Sequence, residues 1–158
     1  MKAIHWTIAA VALAFVQPTP TSAAQGDPEV IIYRFPGVRD DGGVASAGVA
    51  TIFHCTNFSG VLENVRFVTR NRDGSLVANS VASIAHLHTH TASTHFAAAY
   101  PNETAMAAGV AVFQGTTAIA ATSINIICTA ETIDASTAAP VGVARRGIRF
   151  NPVPGSQE

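Results

Sequence analysis

The chain of 158 residues carries nine Lys and Arg against ten Asp and Glu, for a formal net charge of −1, and is 48% apolar. Charge this weak and scattered excludes the electrostatic footprint of a nucleic-acid or anionic-membrane binder. The length suits one domain with a single core.

The first 24 residues read as a secretory signal peptide. Lys2 supplies the positive start, and Ile4 to Val16 (IHWTIAAVALAFV) form a short apolar run. QPTPTSAA ends in small residues, placing Ser22 and Ala24 at positions −3 and −1 of a cut before Gln25. The run is shorter than the ~20 residues of a membrane span, and nothing later in the chain replaces it. No cysteine follows the cut to carry a lipid anchor. Lys2 is the only lysine, so removing the leader takes the formal charge from −1 to −2. The expected destination is the periplasm or the extracellular space. The alanine and arginine usage fits a GC-rich bacterial genome.

Beyond residue 25, Val, Ile, Thr and Phe recur in short runs broken by Gly, Asn, Asp and Pro, which is the language of strands and turns. EVIIYRF (29–35) is the first expected strand, ended by RDDGG, and AGVATIFHCT (47–56) the second, ended by NFSG. VLENVRFVTR (61–70) is the clearest. Val61, Val65 and Phe67 share one face and Asn64, Arg66 and Arg70 the other, as in a half-buried antiparallel strand. NRDG (71–74) then makes a hairpin loop, with Gly74 free to turn left-handed, and SLVANSVASI (75–84) resumes. THFAAAY (94–100), AGVAVF (108–113), AIAATSINIICTAETI (118–133) and VGVARRGIRF (141–150) follow. Breaks fall at YPNE, QGTT and ASTAAP, and the long 118–133 run contains a bend or bulge. AMAAG (105–109) is too short to nucleate a helix alone. NPVPGSQE (151–158), with two prolines, is a loose tail.

Seven to nine short strands separated by turns predict an all-β fold, an antiparallel β-sandwich occupying residues 25–150 as one domain. Cys55 shares its parity with Val49 and Phe53, and Cys128 with Ile124 and Ile126, so both point into the core from facing or neighbouring strands. In an oxidising compartment this even pair forms a disulfide. It closes a loop of roughly 70 residues, for which chain entropy gives about 4 kcal/mol. The arrangement resembles the buried cross-sheet bridge of immunoglobulin-like domains in general architecture. The sole tryptophan, Trp6, lies in the leader, so their Cys–Trp–Cys pattern is absent.

Concentrated chemistry occurs in one place, HLHTHTASTH (86–95), which holds four of the six histidines. On a strand, His86, His88 and His90 share a face at alternate positions about 6.6–6.8 Å apart, too spread for all three to share one ion. A hairpin loop at TAST (91–94) would instead gather His88, His90 and His95 around Zn or Cu, with a position open for water. An uninterrupted strand from 84 to 98 puts His90 and His95 on opposite faces. TAST lacks Gly, Pro, Asn and Asp, which favours that second geometry. The candidate metal ligands are therefore His86, His88, His90 and His95, with solvent-facing histidines on a threonine-rich strand as the leading alternative. Clustered histidines would also repel on protonation, making the segment a candidate acid-sensitive switch. His54, opposite Cys55, reads as a hydrogen-bonded structural residue unless its strand adjoins the cluster.

The chain has no G-x-S-x-G elbow, P-loop or CxxC, and no cysteine to spare once the disulfide forms, so catalysis is not expected. Asp40–Asp41 and Asp73 read as turn residues rather than Ca²⁺ ligands. Arg145, Arg146 and Arg149 read as a solvated edge that discourages sheet-to-sheet pairing. The sequons NFS (57–59) and NET (102–104) matter only in a eukaryotic secretory path. The expected role is a non-catalytic exported binding or structural module. The alternative is a periplasmic or extracellular Zn or Cu binder using the 86–95 cluster. A module whose strand edges recruit a protein partner or a second copy is the other candidate.

Overall fold

The computed structural model describes residues 28–43, 45–107 and 109–149. The leader expected over 1–24 and the tail expected over 151–158 lie outside the described residues. Ten strands follow in chain order: β1 (Val30–Asp40), β2 (Val49–Asn57), β3 (Glu63–Arg70), β4 (Leu76–Ile84), β5 (Thr89–Ser93), β6 (Thr104–Ala105), β7 (Val112–Ala121), β8 (Ile126–Asp134), β9 (Val143–Arg145) and β10 (Ile148–Arg149). They form two five-stranded sheets, ordered β10–β1–β7–β3–β4 and β6–β5–β2–β8–β9. Every pairing is antiparallel except β5 with β6. The all-β sandwich inferred from the sequence is the fold.

Side-chain alternation builds the core. Along β3, Glu63, Val65, Phe67 and Thr69 are buried while the residues between them are half-exposed. Phe35 of β1, Phe53 of β2 and Phe67 of β3 interlock across the two sheets, with ring centroids 5.6 and 6.2 Å apart. Each such fully buried ring contributes about 1.5–3 kcal/mol relative to an exposed one. Ile32, Val38, Val65, Ile119 and Ile126 fill the space around them.

The disulfide forms, but not across the sandwich. Cys55 and Cys128 sit directly opposite each other on β2 and β8, neighbours in one sheet, with Cα atoms 4.2 Å apart. That spacing belongs to a non-hydrogen-bonded antiparallel pair, where side chains come closest. The likeness to a cross-sheet bridge is thereby corrected, and the two sheets are joined by packing.

Other departures have local causes. QGTT was expected to break the chain, yet β7 runs through it. Gly115 is needed there because a Cβ would collide with the Arg70 carbonyl of β3. Thr117 is buried and shares a 2.8 Å hydrogen bond with Thr69. The 118–133 run divides at residues 122–125, where the Ser123 hydroxyl accepts the Asn125 N–H at 3.1 Å. The expected strand 141–150 splits into β9 on one sheet and β10 on the other, and Gly147 passes against the Phe35 ring between them. This crossing separates the expected arginine strip. Arg145 donates to the Thr132 hydroxyl at 2.7 Å, whereas Arg149 donates to the Ile124 carbonyl at 2.6 Å.

The register defines two poles. The β2–β3, β4–β5 and β7–β8 connections lie at one, with the start of β1; the β1–β2, β3–β4 and β8–β9 connections lie at the other. Asn57 organises the first pole. Its amide nitrogen donates to the Val61 and Ile84 carbonyls at 2.7 Å each, and its backbone bonds to Leu87 and His88.

Candidate functional site

HLHTHTASTH is neither the hairpin nor the unbroken strand expected. His88 N–H bonds to the Ala85 carbonyl at 3.0 Å, closing a turn that exposes His86 and His88 at the first pole. The His86 Nδ1 accepts the Gly60 N–H at 3.0 Å. β5 follows, with His90 in register with Cys55 and its ring 6.1 Å from Phe67. Burial pushes the His90 imidazole below its ordinary value of 6.5. At Thr94 the chain leaves the sheet, held by paired 3.0 Å bonds with Thr51. Thus 94–100 is not a strand, and His95 enters the interior near the second pole. β5 spans about 17 Å, so the four histidines are not brought together.

His95 is a buried clasp, 1% exposed. Its Nδ1 lies 2.8 Å from Oδ2 of the fully buried Asp40, and its Nε2 lies 2.8 Å from the Ala47 carbonyl. A carbonyl only accepts, so Nε2 carries a proton, and a second proton lies between Nδ1 and Asp40. The pair is therefore neutral overall. Asp40 Oδ1 accepts the Gly42 N–H at 2.7 Å. Asp41 accepts the Val49 N–H at 3.0 Å, and Gly48, at φ 68°, leaves the space that the Asp41 carboxyl fills. Asp41 is the turn residue its sequence suggested, whereas Asp40 is an interior anchor. Among the described residues, Asp40, Asp41 and His95 form the one group of three metal-ligand types whose donor atoms lie within 4.8 Å of one another.

Residues 94–103 strap the outer face of the second sheet, where Ala97, Ala99 and Tyr100 pack on Ala50, Ile52, Ile133 and Ala135, before the chain rejoins that sheet as β6. Between this strap and β5 opens a shallow cleft of about 270 Å³, lined by Thr89, His90, Thr91, Ala99, Tyr100, Pro101, Asn102 and Glu103. Beside it, His54 packs edge-on against Tyr100 with centroids 4.9 Å apart. His54 Nδ1 bonds to the Thr91 hydroxyl at 3.0 Å, and its Nε2 stands 3.7 Å from Glu131. Tyr100 donates its hydroxyl to Glu131 at 2.5 Å, and the loss of that bond on ionisation pushes the phenol up to about 12. Hydroxyl, imidazole and carboxylate stand in a row, but Nε2 is beyond hydrogen-bond reach of a carboxylate already held by Tyr100. The row fastens strap to sheet.

Glu103 forms the buried wall of the cleft. Its Oε1 accepts the Ala97 N–H. Its Oε2 and the Ser93 hydroxyl are both buried and face each other outside hydrogen-bond geometry. Burial pushes the carboxyl above its ordinary 4.5, against the opposing pull of the Ala97 N–H, Ser93 and His95. A carboxyl that holds its proton more tightly in the folded state stabilises the fold fully below its unfolded value. That contribution is lost as pH rises through the folded value. Glu103→Gln retains an acceptor for Ala97 and gives Ser93 a donor. We expect it to melt above the wild type near neutral pH, with the gap narrowing as pH falls towards 4.5. Thermal melts across that range check this, and a gap independent of pH would exclude Glu103 as the titrating group.

The sequence offered little warning of this site. YPNE is the break expected, which hides Tyr100 and Glu103 among turn residues, while the condition set for His54 is met, since β2 pairs with β5 and places His54 opposite Thr91, next to His90. Comparison with protein-family models, curated proteins and solved structures gives no match.

Proposed function

We propose that this chain is an exported, non-catalytic binding module that loses residues 1–24 on secretion. It takes a small, uncharged, hydroxyl-rich ligand such as a sugar in the cleft between β5 and residues 99–103. The disulfide is compatible with export, and no helix among the described residues is long and apolar enough to cross a membrane.

One observation carries the reading. All three titratable groups of the cleft are shifted towards their neutral forms, His90 downward and Tyr100 and Glu103 upward, beside the hydroxyls of Thr89 and Thr91 and the Asn102 amide. A lining of hydroxyl and amide partners whose titratable groups are biased against charge suits a ligand that brings hydroxyls and no charge, while Ala99, Tyr100 and Pro101 offer apolar contact. Titration of the ¹⁵N-labelled exported protein with glucose, galactose and mannose tests it. Amide shifts should concentrate at 89–91 and 99–103. Asn102→Ala, at an exposed position, should weaken binding about tenfold, the worth of one hydrogen bond. No shift with any of the three sugars overturns the sugar reading.

A second reading, Zn²⁺ or Cu²⁺ binding, is favoured by the Asp40–Asp41–His95 group, in which His95 is the one member of the 86–95 cluster. The Ala47 carbonyl on His95 Nε2 is the outer contact that metal-bound imidazoles commonly have. The ion would replace the proton between Nδ1 and Asp40. Zn²⁺ added to the same sample distinguishes the readings: it should move Asp40, Asp41 and His95 and leave 89–91 unchanged.

A further inference from the structure

The sheet orders leave four edge strands, β10 and β4 on one sheet and β6 and β9 on the other. β6 and β10 have two residues each and β9 three, and β9 and β10 carry Arg145 and Arg149. Short, charged edges are how sandwiches discourage strand pairing. β4 is different. Its nine residues, LVANSVASI (76–84), include no charge and no proline. Its pairing with β3 is regular from Glu63↔Ile84 to Thr69↔Ala78, and the single shift falls at Arg70↔Leu76. Among the described residues, no backbone hydrogen bond outside that pairing engages residues 77–82. Val81 stands 45% exposed on the outer face.

We infer that β4 pairs antiparallel with β4 of a second copy about a two-fold axis at Ser80, joining the two first sheets into one continuous sheet. This inference is independent of the cleft. In such an interface a strand meets its own reversed sequence, so any charge near the axis would face its own copy. β4 brings none. Asn79 would face Val81 of the second copy and Ala78 would face Ala82, small or neutral pairs throughout. The nearest cation on β3 is already neutralised, since Arg66 donates to Glu29 at 2.6 and 3.1 Å and to Asn79 at 3.1 Å. Residues 78–82 of the two copies would pair about that axis, forming roughly four to six backbone hydrogen bonds between them.

Light scattering of the exported full chain from ~10 µM to ~1 mM, with hydrogen exchange at both limits, tests the inference. The mass should double with concentration, and the amides of 77–82 should slow as it does. Val81→Lys, at an exposed position, should weaken association by roughly tenfold or more. Val141→Lys, 94% exposed and remote from β4, should leave it unchanged. A monomer at every concentration overturns the inference, as does a dimer that survives Val81→Lys. Slow exchange at 77–82 in a monomer would assign the edge to another strand and also overturn it.

Discussion

Replacing His95 by alanine is expected to lower the unfolding free energy by about 3–5 kcal/mol, the cost of leaving a buried charged or strongly polar group without its partner. The substitution strands Asp40, fully buried, and frees the Ala47 carbonyl that the imidazole caps. The Ser46 N–H bond to the Phe96 carbonyl, 2.7 Å, depends on the same docking, so the 41–48 loop should loosen with it. Asp40→Ala should cost a comparable amount for the reciprocal reason. The double variant should cost less than the sum of the two, because neither residue is then left alone in the interior. Urea denaturation of the four proteins measures the coupling. Additive losses would show that the pair does not act as a unit.

Cys55→Ala/Cys128→Ala should cost about 4 kcal/mol, since the bridge spans a separation of 73 residues and removes that much chain entropy from the unfolded state. For a domain of this size the melting temperature should fall by roughly 10–15 °C. The strands it joins are already paired over nine registered positions from Val49↔Asp134 to Asn57↔Ile126. The variant should therefore keep the native sheet, and its β-sheet circular dichroism should be unchanged at low temperature. Loss of that signal would mean that the bridge holds the β2–β8 register rather than only the unfolded ensemble.

What the sequence disclosed follows from the range of each signal. Parity along 61–70 gave the face of β3 correctly because alternation is local, and the inward placement of Cys55 and Cys128 followed from the same rule. Which strands they joined was not local. Facing and neighbouring strands produce the same parity, so only the sheet order separates them. Gly115 misled because a glycine needed for close approach of another strand looks like a glycine needed for a turn. TAST misled differently: its lack of turn formers argued for a straight strand, but Thr94 and His95 leave the sheet through tertiary bonds to Thr51 and Asp40. For the site, the histidine-rich stretch draws attention to His90 and His95, but not to Asp40 or Glu103, whose roles arise from burial, or to Tyr100, whose role arises from its hydrogen bond to Glu131.

Among the described residues, β10 pairs with β1 at Tyr33 and Arg34 and runs antiparallel to it, so the start of β1 and the Arg149 end of β10 lie side by side. Tension applied between those ends would not shear a long strand pair. It would peel β10 away like a zipper, breaking its few bonds in succession. The disulfide lies in the other sheet and would bear none of the initial load. Force applied across Val30 and Arg149 would thus find the β1–β10 pairing the first to yield, however stable the sheets are to heat or denaturant.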